Sequence, residues 1–239
     1  MRTPSPTRTS LPVRPWRYAY CAVAALALGL HVNAAGQQQP TPSPTPQTTP
    51  TAAAETIVFF RHGEKPPNGL GQLTCRGLNR ALALPPVLLA KFGRPDYLFA
   101  PNPAVKVRDG TLEGYDYIRP LATIEPTAIF LGMPVNTDFG YDAIGPLAHE
   151  LTQPRYAGKL IFVAWEHLKL EVVVKDLLRT FGGNPKEVPS WPGGDYDSLY
   201  VLRLEQRAAA PQAITFTHDH EGLEDLSDDC PEPKRAPPH

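Results

Sequence analysis

The chain has 239 residues, 29 prolines and a net charge of −1, from 23 Lys+Arg against 24 Asp+Glu. Nine of the prolines but no acidic residue precede position 55, so the first 54 residues differ in kind from the remainder. Without Arg2, Arg8, Arg14 and Arg17 of that leader, the rest carries 19 basic against 24 acidic residues, or −5, which argues against a nucleic-acid binder; a 42% hydrophobic content argues against both general disorder and a polytopic membrane protein.

Arg14 and Arg17 form a positive flank before the apolar run Tyr18–Leu30, about 13 residues where a membrane-spanning helix needs about 20. Small residues follow at Ala34, Ala35 and Gly36. Residues 1–35 therefore read as a secretory signal cleaved near Ala34 or Ala35, with an uncleaved anchor as the alternative. The expected location is secreted or periplasmic, with no stable membrane anchor after cleavage. Cys21 lies in the middle of the apolar run, which does not fit a lipoprotein signal. Residues 36–54, rich in Gln, Pro and Thr, have nothing apolar to bury and read as an extended, disordered linker. Only Cys75 and Cys230 then remain. In an oxidising compartment they are either one disulfide or two unrelated thiols, and sequence supplies no distance to choose between them.

Ile57–Phe60 is an apolar β-rich run ending abruptly in charge, the pattern of a buried strand that delivers residues to its tip. Thr74 caps a helix running to about Phe92, interrupted at Pro85-Pro86. Tyr97–Ala100 is a second strand, and after a polar loop Arg119-Pro120 opens a helix toward Leu131. Lys159–Ala164 is a strand ending at Trp165-Glu166-His167; Leu168–Thr180 is a helix stopped by Gly182-Gly183. Ser198–Leu204 and Ala213–Thr217 close the series. Strands alternating with helices predict an α/β fold over 55–224, a three-layer α/β/α sandwich with a mostly parallel sheet. In such folds functional groups gather beyond the carboxyl ends of the strands, where His62 and His167 fall. Residues 225–239, acidic and Pro-rich, read as a disordered tail apart from any tether through Cys230.

The segment Arg61-His62-Gly63-Glu64-Lys65 carries the clearest chemistry. A guanidinium offers a fixed fork to two phosphate oxygens, and glycine lets backbone approach a ligand. A neutral imidazole is a competent nucleophile, kept unprotonated by neighbouring cations. The bland alternative is a strand-end histidine beside a surface ion pair. Together with Leu73, Thr74 and Gly77, Arg119 with Thr123 four residues on, and His167 ending a strand, this segment resembles the histidine phosphatase superfamily, also called phosphoglycerate mutase-like. The resemblance spans about residues 55 to 217.

The resemblance implies that His62 attacks phosphorus and carries the phosphoryl group, that Arg61 and Arg119 grip its oxygens, and that His167 donates from the other side. It implies a phosphatase acting on a small phosphorylated substrate, with no metal and no cofactor. The alternative is a catalytically weak phosphate- or polyanion-binding module of the same fold. Some positions depart from the family pattern. The segment before Arg119 is long, so Arg108 competes for its role, and Leu168 stands where one branch of the family places its proton-donating Asp. The proton donor is thus unassigned; Glu166, Asp138, Asp142 and Glu150 are available, each also readable as a surface carboxylate. Lys65 touches phosphate or the leaving group, or is simply solvated, and Glu64 orients the loop. Arg76 and Arg80 read as a solvated helix face, His218 and His220 as a solvated tract rather than a metal site, and Trp165 and Trp191 as packing. The loop 191–196 reads as overhanging the pocket.

Overall fold

The computed structural model describes residues 54–110, 112–205 and 213–232. The stretch read as a signal, the stretch read as a linker up to residue 53, and the last seven residues lie outside these.

A five-stranded sheet is built from β1 (Glu55–Arg61), β2 (Tyr97–Phe99), β5 (Leu160–Trp165), β6 (Ser198–Glu205) and β7 (Ala213–His220), in the order β2-β5-β1-β6-β7. β1 pairs in parallel with β5, and β5 with β2; β6 runs antiparallel to both β1 and β7, so it alone opposes the common direction. A separate two-stranded hairpin, β3 (Lys106–Val107) and β4 (Tyr115–Asp116), interrupts the connection from β2 to the second helix.

Alternation along the buried strands explains the layers. Ile57 and Phe59 of β1 and Ile161, Val163 and Trp165 of β5 face one core, with α3 (Ile144–Leu151) and α4 (His167–Thr180). Val58, Phe60, Phe162 and Ala164 face the other, with Leu84 and Leu88 of α1 (Cys75–Phe92) and Ile124 and Ala128 of α2 (Arg119–Leu131). Apolar residues on both faces of a strand leave no wet side, which requires helices on both, each fully buried side chain contributing about 1.5–3 kcal/mol. The molecule is the three-layer α/β/α sandwich expected from the sequence.

Some elements differ from expectation. Pro85 and Pro86 lie inside α1 without ending it. Proline removes hydrogen bonds to the preceding turn, but its fixed φ suits a helix, and burial of Leu84, Pro85 and Leu88 holds the segment to the sheet. The hairpin β3–β4 falls in the stretch read as a polar loop, because two-residue strands carry no periodicity, and helix α3 falls in a stretch with no predicted element. β7 extends to His220, placing His218 and His220 on one edge strand, where His218 Nε2 lies 2.8 Å from Ser198 Oγ.

The tail also departs from the disordered reading up to residue 232, for Asn79 donates to the carbonyls of Ser227 and Asp229, and Cys75 is bonded to Cys230. Arg80, expected on a solvated face, is 2% exposed because the segment that follows β7 covers it. Its guanidinium meets Glu221 at 2.5 Å, Glu64 at 2.9 Å and the carbonyl of Leu223 at 3.0 Å. The disulfide closes a loop across a sequence separation of 155. Cys230→Ser is expected to destabilise the domain by about 2–4 kcal/mol, read as a lower denaturant midpoint under non-reducing conditions. Reductant should bring the unaltered protein to the same midpoint.

Candidate active site

Three parallel strands and the helices that follow them bring their functional ends to one edge. β1 ends in Arg61 and passes straight into His62, whose backbone N–H donates to the carbonyl of Trp165 at the end of β5. Gly63 then meets the first turn of α1 backbone to backbone: a Cβ at Gly63 would lie 2.8 Å from the Gly77 carbonyl oxygen, and one at Gly77 would lie 2.4 Å from that of Glu64. These two glycines permit a contact that no side chain would survive. Thr74 caps α1 by accepting from the Gly77 N–H, while its own N–H donates to the Glu64 carbonyl. Glu64 in turn is held by Arg80 and Arg76. On the other side, the Gly63 N–H donates to Thr123 Oγ1, and that hydroxyl donates to the carbonyl of Arg119. The spacing of Arg119 and Thr123 thus has a structural meaning: the threonine ties the His62 loop to the first turn of α2.

His62 is 1% exposed and oriented by two contacts. Its Nδ1 lies 2.7 Å from the Gly63 carbonyl oxygen, which can only accept, so Nδ1 carries the proton and Nε2 holds the free lone pair. Arg119 Nε donates to that Nε2 at 3.2 Å. Burial first, then Arg119, holds the imidazole well below its ordinary pKa, with Arg61 and His167 adding to the effect and the Gly63 carbonyl opposing it. The ring is therefore neutral at physiological pH, with its acceptor nitrogen held by a guanidinium N–H.

Arg61 is 1% exposed, and its Nη1 donates to the carbonyls of Gly193 and Asp195, both at 2.8 Å. Tyr196 covers its guanidinium, 3.8 Å from carbon to ring centroid. The 191–196 loop is the clamp that aims Arg61, and Trp191 steadies it through Nε1 to the Asp195 carbonyl. Arg119, the first residue of α2, spreads its fork between His62, the Gly69 carbonyl and Asp109, with Tyr117 beneath it. Its own N–H donates to the Gly71 carbonyl.

His167 is the first residue of α4, where the helix presents unpaired N–H groups and positive potential. The preceding Glu166 caps the helix through Oε2 to the Lys169 N–H and brings Oε1 within 2.5 Å of His167 Nδ1, a close contact outside hydrogen-bond alignment. Burial works to raise the Glu166 carboxyl, but His167 and the helix N–H groups outweigh it and keep it below the usual range. Glu166 is thus a buried, ionised cap rather than the surface carboxylate its sequence context suggests.

Arg61, His62, Lys65, Arg119 and His167 all line one cavity of about 230 Å³. Arg108 also reaches it but is exposed, whereas Arg119 is buried and contacts His62 directly. Of the four carboxylates considered as proton donors, only Glu166 lines this space. Asp142 pairs with Lys169, Asp138 with Asn136, and Glu150 with Tyr156 and Arg155. Sequence reasoning missed Tyr117 and Tyr141, which wall the cavity, and Asp109, whose carboxylate lies 2.8 Å from Lys65 Nζ and 2.7 Å from Arg119 Nη2. A basic, water-accessible recess centred on a neutral histidine Nε2 can bind a small oxyanion and offer it a nucleophile.

The chain matches no protein-family model and no curated protein. Among solved structures it is similar to a candidate SixA phosphohistidine phosphatase from Nakamurella multipartitia, at 16% identity and TM-score 0.45 over 71% of this chain and 98% of that one. It is also similar to phosphoglycerate mutase from Plasmodium falciparum, at 12% identity and TM-score 0.44 over 78% and 99% of the two chains. A third is mycobacterial glucosyl-3-phosphoglycerate phosphatase, at 14% identity and TM-score 0.45 over 70% and 98%.

Proposed function

We propose that this chain is an exported phosphatase of the histidine phosphatase type, hydrolysing small phosphate monoesters through a phosphohistidine on His62 and without a metal. The observation that carries the reading is the state of His62. It is neutral, its proton is pinned on Nδ1 by the Gly63 carbonyl, and its Nε2 is left as an acceptor, held by Arg119 Nε, on a cavity lined by Arg61, Arg119 and His167. A phosphoryl group there meets a nucleophile and two guanidiniums at once. The charge that a divalent ion offsets in other phosphoryl-transfer sites is offset here by fixed cations. His167, paired with Glu166 and set at a helix N-terminus, supplies a donor to a non-bridging oxygen. The cavity of about 230 Å³ holds a phosphoryl group with room for part of a small ester, and Lys65 and the exposed Arg108 add positive charge to its lining. The Cys75–Cys230 bond supports export, since such bonds persist in oxidising compartments, and agrees with the leader read from residues 1–35.

The test is turnover of para-nitrophenyl phosphate by residues 36–239 in the presence of a chelator. Activity should persist, an acid-labile and base-stable phosphoenzyme should be trapped in a rapid quench, and His167→Ala should lower kcat by at least about 10²-fold. Phosphate binding without turnover would favour the weak binding module instead. Absence of phosphate binding would remove both readings.

A further inference from the structure

We propose that Asp109 is the proton donor of this site and, after leaving-group departure, the base that activates water; the inference rests on the phosphatase reading above. Two carboxylates line the cavity, and they are used differently. Glu166 is committed to the N-terminus of α4 and to His167. Asp109 makes its side-chain ion pairs with the groups that would receive substrate, at 2.8 Å from Lys65 Nζ and 2.7 Å from Arg119 Nη2. It belongs to the inserted hairpin, following β3, and its backbone is fixed from below: a Cβ at Gly69 would lie 2.7 Å from the Asp109 carbonyl oxygen. Arg119 is shared between Asp109 and His62, so the carboxylate stands one guanidinium away from the nucleophile.

In the free protein Asp109 is ionised, because Lys65 and Arg119 outweigh the effect of burial and hold its carboxyl below the usual Asp range. An entering phosphoryl group competes for the same Arg119 donor. Once displaced, the carboxylate faces a dianion rather than a cation, and its proton affinity rises. It takes up the proton carried by the ester monoanion or by solvent. His62 Nε2 then donates its lone pair to phosphorus as the P–O bond to the leaving group breaks. That bond's electron pair stays on the leaving oxygen, which receives the Asp109 proton and departs as the alcohol. In the second half the Asp109 carboxylate accepts a proton from water as the water oxygen bonds to phosphorus. The P–N bond breaks, its electron pair returns to Nε2, and inorganic phosphate is released with Asp109 again protonated.

The discriminating measurement is the leaving-group dependence of kcat for Asp109→Asn, with Asp109→Ser as a second variant and the unfolding midpoint of each as a control for folding. With an ester of a simple alcohol under single-turnover conditions, phosphoenzyme formation should fall by about 10²-fold or more. With para-nitrophenyl phosphate, whose leaving group needs no proton, the loss in that step should shrink to less than about tenfold. An equal loss with both esters would overturn the assignment. So would an unchanged rate with the alkyl ester coupled to tighter inhibition by inorganic phosphate, which would make Asp109 only a competitor for Arg119. Failure of the unaltered protein to turn over either ester would instead overturn the phosphatase reading itself.

Discussion

His62→Ala should lower kcat/KM for an activated phosphate ester by at least about 10³-fold and abolish the trapped phosphoenzyme. The size of the effect follows from what the ring does. It is the group whose Nε2 is kept as an acceptor in a fixed tautomer on the cavity wall, and in its absence water must attack without covalent assistance. The substitution also leaves the Gly63 carbonyl and Arg119 Nε without their present partner, so a stability cost of about 1–3 kcal/mol accompanies it. Kinetics measured well below the variant's unfolding temperature separate the two. Activity within tenfold of the unaltered protein, with label still trapped, would assign the nucleophile elsewhere.

Arg119→Ala should cost about 10²–10³-fold in kcat/KM, and it should also change the pH profile. After burial, Arg119 is the largest influence holding the His62 imidazole below its ordinary value. Removing the cation lets that value rise toward 6.5. His62 then becomes protonated, and useless as a nucleophile, at a higher pH than before. The acid limb of kcat/KM should accordingly move upward, with the greatest relative loss between the two values and the smallest above about pH 7. Arg119→Lys should recover only part of the rate, because one ammonium cannot reach His62, Asp109 and the Gly69 carbonyl together. A profile measured as kcat/KM against pH that keeps its acid limb in Arg119→Ala would contradict the role given to this guanidinium.

The residues legible in sequence were those whose position follows from local pattern. An apolar run ending in Arg61-His62 announces a strand tip, Arg119-Pro120 announces a helix start, and Trp165-Glu166-His167 ends another apolar run. The parallel layering follows from that alternation without any knowledge of contacts. What stayed hidden depends on partners far along the chain. The carbonyls that aim Arg61 come from Gly193 and Asp195, more than 130 positions away. The burial of Arg80 requires Glu221 and Leu223 to fold over it, which no helical spacing reveals. Asp109 sits beside two-residue strands too short to register as a pattern, and it reaches the cavity only because Gly69 lets the two loops touch. Glu166 looked like a surface acid because its cap function shows only once α4 is seen to begin at the next residue.

The abutment of Gly63 on Gly77 also makes the height of His62 above the sheet a main-chain property. The atoms that meet across that seam are backbone, and the Thr123 and Thr74 hydroxyls hold its two N–H groups from either side. Any displacement of His62 must carry the start of α1 along with it, and through Cys75 the covalently attached C-terminal strap as well.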